Sequence, residues 1–256
     1  MNRRNAFAQT LRFTLTIMMT TLFLAQAEAA RSRGGSSGGS FFNGTVYLNL
    51  SISTVGATQD DINSVIKDHN STVSGGISSS TLGSGLEGNA SFIYRYSGTA
   101  YALVLRPGYF WAKSHGSGNG QDYNFDITGT TAFLMFRLYP LENDFIKFYM
   151  QVGPGWGQTN SDLKLGTTTA QFTGSAFGGS AGLGVDFCFI PGHCMTIEGN
   201  VRYLPVERNT GTGGNCTGST TGFSQCGSSG EIERSSKDFT TSLSGIIGTL
   251  GYTMMF

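Results

Sequence analysis

The chain has 256 residues with 16 basic and 16 acidic side chains, a formal charge of zero that gives no electrostatic footprint for a nucleic-acid partner. It carries 38 glycines, 12% aromatic and only 12% charged residues, where roughly a quarter charged is usual for a soluble domain. So little charge covers a surface in water thinly, and it suits an outer wall that meets lipid.

Residues 1–29 read as an export signal. Arg3, Arg4 and Arg12 make a basic start, Phe13 to Leu24 is an apolar run broken only by threonines, and Ala25-Gln26-Ala27 and Ala27-Glu28-Ala29 both offer small-x-small cleavage sites. A retained signal anchor is the alternative, but the run is shorter than the roughly 20 apolar residues that span a bilayer. Removing the signal leaves a mature charge near −2. Residues 30–42 are a Gly/Ser tract without core-forming side chains until Phe41, expected as a flexible leader. No later run is long and apolar enough for a transmembrane helix, so a membrane crossing would have to use a closed barrel of strands.

Eight segments then alternate with a period of two, which marks strands with one oily face. The first, Gly44 to Val55, sets Val46, Leu48, Leu50 and Ile52 against Tyr47, Asn49, Ser51 and Ser53. Between it and the next, Asp60 to Asp68 has the pattern of a short helix with acidic residues at its start, and Ile62, Val65 and Ile66 would share a face able to cap a barrel mouth. The second strand, Leu86 to Tyr96, carries Glu87, Asn89, Ser91 and Arg95 opposite its oily set. The third, Tyr101 to Ala112, places Arg106 opposite Leu103, Leu105, Pro107, Tyr109 and Trp111. The fourth, Phe125 to Tyr139, is apolar on both faces near its end, so its parity stays open.

The fifth runs from Phe145 to Trp156 with Lys147, Tyr149 and Gln151 opposite Ile146, Phe148, Met150 and Val152. The sixth, Gln171 to Phe189, sets Phe177, Leu183, Val185 and Phe187 against small residues and Asp186. The seventh, Met195 to Val206, pairs Ile197, Val201 and Tyr203 with Glu198, Asn200 and Arg202. The eighth, Phe239 to Phe256, puts Ile246, Leu250, Tyr252, Met254 and Phe256 on one face. An ordinary sandwich strand is the competing account of that last segment. Connections alternate in length: 57–85, 113–124, 158–170 and 207–238 are long, whereas 97–100, 140–144 and 189–194 are short. Trp111 and Trp156 fall at the loop ends of their strands; Tyr94, Tyr96, Tyr101, Tyr139 and Phe256 fall at the turn ends, giving two aromatic belts. A soluble barrel of lipocalin type would alternate too, but with its oily face inward.

With these features the chain from about residue 43 to Phe256 resembles the eight-stranded outer-membrane barrel superfamily, the OmpA/OmpX/OmpW-like group. The resemblance implies an all-β fold, an eight-stranded antiparallel up-and-down transmembrane barrel over 43–256, in the outer membrane of a Gram-negative bacterium. It also implies that Tyr252, Met254 and Phe256 form the signal read by the barrel-assembly machinery. The partners implied are outer-membrane lipid and lipopolysaccharide, that machinery, and a host or surface ligand at the outer loops; a monomer without cofactor is expected. No peptidoglycan-binding domain follows Phe256, so an anchoring role is not expected.

On that topology Cys188 and Cys194 flank one periplasmic turn, and Cys216 and Cys226 lie in the last outer loop. Pairing across the membrane is ruled out, which leaves Cys188–Cys194 and Cys216–Cys226, each worth roughly 2–3 kcal/mol in the chain-entropy model. If Cys188 faces Cys194, then Gly184 faces Glu198 and Ser180 faces Arg202. A metal site using His193 beside Cys194 is the alternative, and it is sterically crowded. Glu87, Arg95, Arg106, Lys147, Asp186, Glu198 and Arg202 are expected to point inward, where they must pair or keep water. They would form a polar plug or, alternatively, a narrow gated conduit for small solutes in which Arg106 or Arg202 exchanges carboxylate partners. An outer-leaflet lipid-modifying enzyme would need His69 or His115 with Ser and Asp neighbours. Histidines in Gly/Ser loops are ordinarily just solvated, and no catalysis is expected.

Overall fold

Each of the eight alternating segments becomes a strand, and the eight close on themselves. The computed structural model describes residues 44–72, 81–118, 121–215, 223–224, 230–235 and 237–256; the expected signal and leader, Cys216 and Cys226, and the side chain of His69 lie outside them. In chain order the elements are β1 (Gly44–Gly56), α1 (Asp60–Thr72), β2 (Gly85–Tyr96), β3 (Tyr101–Gly118), β4 (Gln121–Glu142), β5 (Ile146–Leu165), β6 (Thr168–Ile190) and β7 (His193–Tyr203). The short strands β8 (Pro205–Val206), β9 (Asn209–Gly214), β10 (Phe223–Ser224), β11 (Glu233–Arg234), β12 (Lys237–Asp238) and β13 (Thr241–Ser242) precede the closing strand β14 (Gly245–Met255). Strands β1 to β7 pair in sequence, and β14 closes the ring between β7 and β1, all antiparallel. Among the described residues no helix is long and apolar enough to cross a membrane.

The parity read from the sequence holds in β1, β2, β3, β5, β6, β7 and β14. Leu50, Ile52, Leu103, Leu105, Val152, Leu183, Ile197 and Leu250 are exposed on the outer wall, while Asn49, Ser53, Glu87, Arg106, Gln151 and Asn200 are buried within. The open parity of β4 resolves with Leu134 and Phe136 outside and Phe133, Met135, Arg137 and Tyr139 inside. Tyr139 is therefore not a belt residue: it is 7% exposed and turned into the lumen.

Two expected loops are strand instead. β3–β4 continues through 113–124 and β5–β6 through 158–170, so two tall hairpins rise on one side of the ring. Their inward positions Tyr123, Phe125, Ile127, Leu163, Leu165 and Phe172 form a second alternating apolar set, buried on the face that is polar lower down. Where β6 parts from β7 above Gly179↔Tyr203, its edge is taken over by β9.

The expected seventh and eighth strands are each shorter than read. β7 stops at Tyr203 and β14 begins at Gly245; between them β8 pairs with β13. Pro205 lacks the N–H needed to continue a ladder. The flanking Leu204 and Leu243 turn inward and are fully buried. Gly157 on β5 makes this insertion fit, since a Cβ there would stand 2.6 Å from Leu204 Cδ2 and 2.9 Å from Leu243 Cδ1. Replacing Leu243 with Ala empties this layer and is expected to cost about 2–5 kcal/mol. Leu250→Ala on the outer wall is expected to cost distinctly less, measured for both by urea unfolding of the refolded chain in micelles.

Candidate functional site: the filled lumen and its cap

The lumen at mid-barrel centres on one carboxylate. Glu198 of β7 accepts from both terminal nitrogens of Arg106, with Nη2 at 2.8 Å, from Tyr149 Oη at 2.7 Å and from Asn200 Nδ2. Arg137 Nη2 stands 3.6 Å away, its guanidinium stacked 3.7 Å from the centre of the Tyr149 ring and bonded to Gln151 Oε1. A second pair sits beside this knot: Arg202 donates to Glu87 Oε2 at 2.6 Å and to the Leu243 carbonyl at 2.6 Å. Asp186 accepts from Thr196 at 2.6 Å, and Asn49 bridges Thr196 and Thr253.

The register expected from the cysteines is the one observed, with Cys188↔Cys194, Gly184↔Glu198 and Ser180↔Arg202 on adjacent strands. The space left by Gly184 is filled by the Tyr149 ring, which brings its hydroxyl onto Glu198. A cavity of about 10 Å³ remains between the two ion-pair groups, lined by Glu87, Asn89, Arg106, Asn200 and Arg202 among others. That is room for about one water.

Of the seven charges expected inside, Glu87, Arg106, Asp186, Glu198 and Arg202 are buried at mid-barrel. Arg95 and Lys147 stand apart from them at the lower mouth, where Arg95 binds Glu142 through two 2.5 Å hydrogen bonds and Lys147 lies 3.4 Å from the same carboxylate. Arg137 is absent from the expected set because β4 is apolar on both faces, and Glu142 because it falls in an expected turn. A sequence signal for Arg137 existed: it lies an even number of residues from Phe133 and Met135, which share its face.

Tyr96, Tyr101 and Phe256 are exposed on the wall at the turn ends and Tyr94 is half-buried there. Trp111 and Trp156 are half-buried at the other end. Cys188 and Cys194 form a disulfide. In the closing strand, Tyr252 Oη lies 2.9 Å from His193 Nδ1, Met254 is half-buried and Phe256 exposed. His115 is exposed on β3 opposite Asn124, well separated in the fold from His193 at the β6–β7 turn.

The outer end is closed by α1, longer by one turn than the expected Asp60 to Asp68, with Ile62, Val65 and Ile66 buried in the same apolar cluster as Leu204, Leu243, Phe172 and Phe239. It is tied to the last connection. Gln59 exchanges side-chain hydrogen bonds with both backbone groups of Ser242, Asp61 accepts from the Thr240 amide at 2.7 Å and hydroxyl at 2.6 Å, and Arg234 reaches Ser64 and Asp68.

No protein-family model matches the chain, and no curated protein sequence is similar to it. Among solved structures it is similar to the outer membrane protein OprG from Pseudomonas aeruginosa, at 14% identity, with a TM-score of 0.52 over 83% of this chain and 96% of that one. It is also similar to a major outer membrane protein from Thermus thermophilus, at 10% identity, with a TM-score of 0.53 over 83% of this chain and 99% of that one. The chain thus has the fold of the eight-stranded outer-membrane barrels.

Removing Glu198 would leave two buried guanidinium groups short of their shared partner. Glu198→Ala is expected to destabilise the barrel by about 3–5 kcal/mol, read from urea unfolding of the refolded chain in micelles. Lys147→Ala at the partly exposed lower mouth is expected to change stability by less than about 1 kcal/mol.

Proposed function

We propose that the protein is an exported barrel of the bacterial outer membrane with a filled lumen, acting structurally or by binding through its outer surface rather than by chemistry or conduction. One observation carries the membrane reading: the sheet β3–β6 exchanges the polarity of its two faces partway up. Below Trp111, Trp156 and Phe177 its outer face is apolar and its inner face holds the charged and polar Arg106, Arg137 and Gln151 beside Val104, Phe133 and Met135. Above that level the outer face turns to Lys113, Asp126, Asn160 and Asp162, and the inner face to Phe125, Ile127, Leu163 and Phe172. A sheet in water throughout has no reason to invert. A sheet that leaves a hydrocarbon layer at that height does, because lipid tolerates an apolar wall and water does not.

In this reading residues 1–29 direct export, the assembly machinery takes the closing strand with Tyr252, Met254 and Phe256, and the barrel sits as a monomer among lipid and lipopolysaccharide. The lumen offers no support for a conduit. Ion pairs fill its middle down to a void of about 10 Å³, Leu204 and Leu243 fill the layer above, and α1 lies over both. Among the described residues the first and last outer connections are tied together through Gln59, Asp61 and Arg234, and loops held on a scaffold are where binding surfaces are usually carried.

The mature chain is expected to integrate into lipid vesicles as a heat-modifiable band resistant to alkaline extraction. In planar bilayers it is expected to show no conductance steps, with the wild-type Arg106 or with Arg106→Glu. A chain that stays compact and monomeric in buffer without detergent would refute the membrane reading, and steady ion conduction by the wild type would refute the filled lumen.

A further inference from the structure

We propose that the outward face of the tall hairpins is a docking surface for the saccharide part of an outer-leaflet glycolipid, centred on the cross-strand row Thr128–Asn160–Thr173–Thr210. This rests on the membrane reading above. The row is built by direct register across four strands, β4 to β6 and β9. At the other end Trp111 of β3 stands opposite Thr128. One row lower, Thr130, Gln158 and Ser175 face one another in the same way.

Position selects the occupant. Thr130, Gln158 and Ser175 lie two residues along the strands from Ala132, Trp156 and Phe177, where the apolar wall ends. A lipid whose acyl chains lie against Leu134, Phe136 and Val152 would carry its head group to this height. The surface is continuous with that wall along the same strands.

Chemistry agrees with position. Threonine, asparagine, glutamine and serine side chains both donate and accept, as sugar hydroxyls do. Adjacent strands stand about 4.8 Å apart in a sheet, so the row presents one such group per strand on a rigid frame. Part of it is fixed in place: Thr173 Oγ1 donates to the Thr159 carbonyl at 2.8 Å, and Thr128 Oγ1 to the Asn160 carbonyl at 3.4 Å. The asparagine side chain itself is exposed. Above the row, Lys113, Asp126, Asp162 and Lys164 carry both signs, with Lys113 and Asp126 3.4 Å apart and Asp126 opposite Asp162. Apart from Trp111 at its margin, the row lacks the aromatic and arginine anchors that concentrate binding energy in protein interfaces. Trp111 instead offers a ring that is apolar on its face and polar at its N–H, suited to the boundary between acyl chains and sugars.

The test is a titration of the mature full-length barrel, folded in detergent micelles, with full-core lipopolysaccharide and with lipid A that lacks core sugars, followed by native mass spectrometry. Wild type is expected to hold the full-core glycolipid about ten-fold more tightly, the worth of one or two net hydrogen bonds. In Thr128→Ala/Asn160→Ala/Thr173→Ala the two affinities become equal while lipid A binding stays at the wild-type value, which also reports that the barrel is folded. Thr128→Ser/Thr173→Ser, which keeps the hydroxyls, retains the preference. Equal binding of the two lipids by wild type, or a preference that survives the triple substitution, overturns the proposal while leaving the membrane reading intact. Failure of wild type to integrate into vesicles at all would remove both.

Discussion

A sheet closed around so narrow a space leaves its inward polar groups no bulk water to fall back on, so every charge there must find its partner inside the barrel. Glu198 is where this constraint is met most fully. Its two oxygens are reached from β3 by Arg106, from β5 by Tyr149 and from its own strand by Asn200, with Arg137 of β4 close by. β3 and β4 are not neighbours of β7 in the ring, so these contacts span the lumen. One carboxylate thereby holds opposite walls at a fixed separation. The small residues of β6 belong to the same arrangement: Gly184 gives up its side chain so that a tyrosine from the adjacent strand can occupy the place beside Glu198.

The interior is two materials stacked end to end. Around Glu198 and Glu87 it is polar and paired; from Phe110 upward it is an ordinary apolar core with Phe125, Ile127, Phe172, Leu204 and Phe239. The boundary between them falls close to the level at which the outer wall changes in the opposite sense. Both changes follow from one requirement, that each side chain match what surrounds the sheet at its height. Below, in the membrane reading proposed above, lipid takes the apolar side chains and leaves the polar ones to fill the centre. Above, water takes the polar ones and the apolar ones need a core, which the first and last connections supply by folding inward. Arg202 joins the two layers, since its Nε binds the Leu243 carbonyl while its Nη1 binds Glu87.

Legibility in the sequence followed the same division. Where the outer face of a strand is apolar and the inner one polar, as in β1, β2 and β7, alternation alone set the parity of every residue, and the cysteine pair at the β6–β7 turn set the register of Glu198 and Arg202. β4 resisted because its inward Phe133 and Met135 are apolar side chains set among the polar groups of the lumen, beside Arg106 and Arg202, so Phe133, Leu134, Met135 and Phe136 show no contrast; Arg137 and Tyr139 were lost with them. The strand extensions were hidden differently. In 113–124 and 158–170 the outward positions carry Ser, Asn, Asp and Gln, the usual composition of loops. The inward Tyr123, Phe125, Leu163 and Leu165 kept the period of two, with the oily and polar faces exchanged. A search for alternation without regard to which face is oily would have found them. The helix was legible because Ile62, Val65 and Ile66 recur at helical spacing, but the ties of Gln59 and Asp61 to Ser242 and Thr240 were not, since they run from side chains at its start to a segment far apart in the chain.

The asymmetry of the outer end follows from these lengths. β1, β2, β7 and β14 end near the level of Trp111, while β5 continues from Trp156 to Leu165, roughly 30 Å along the strand at about 3.3 Å per residue. A half-ring of tall strands exposes its apolar inner face on the side where the short strands have stopped. That face has to be covered, and the chain segments available to cover it are those leaving the short strands: 57–72 after β1, 204–206 after β7 and 239–243 before β14. They bring Ile62, Ile66, Leu204, Val206, Phe239 and Leu243 to it. The inward fold of the first and last connections is therefore a consequence of the height of the middle four strands. With its inner face committed to that core, the tall half-ring has only its outer, polar face to present to its surroundings.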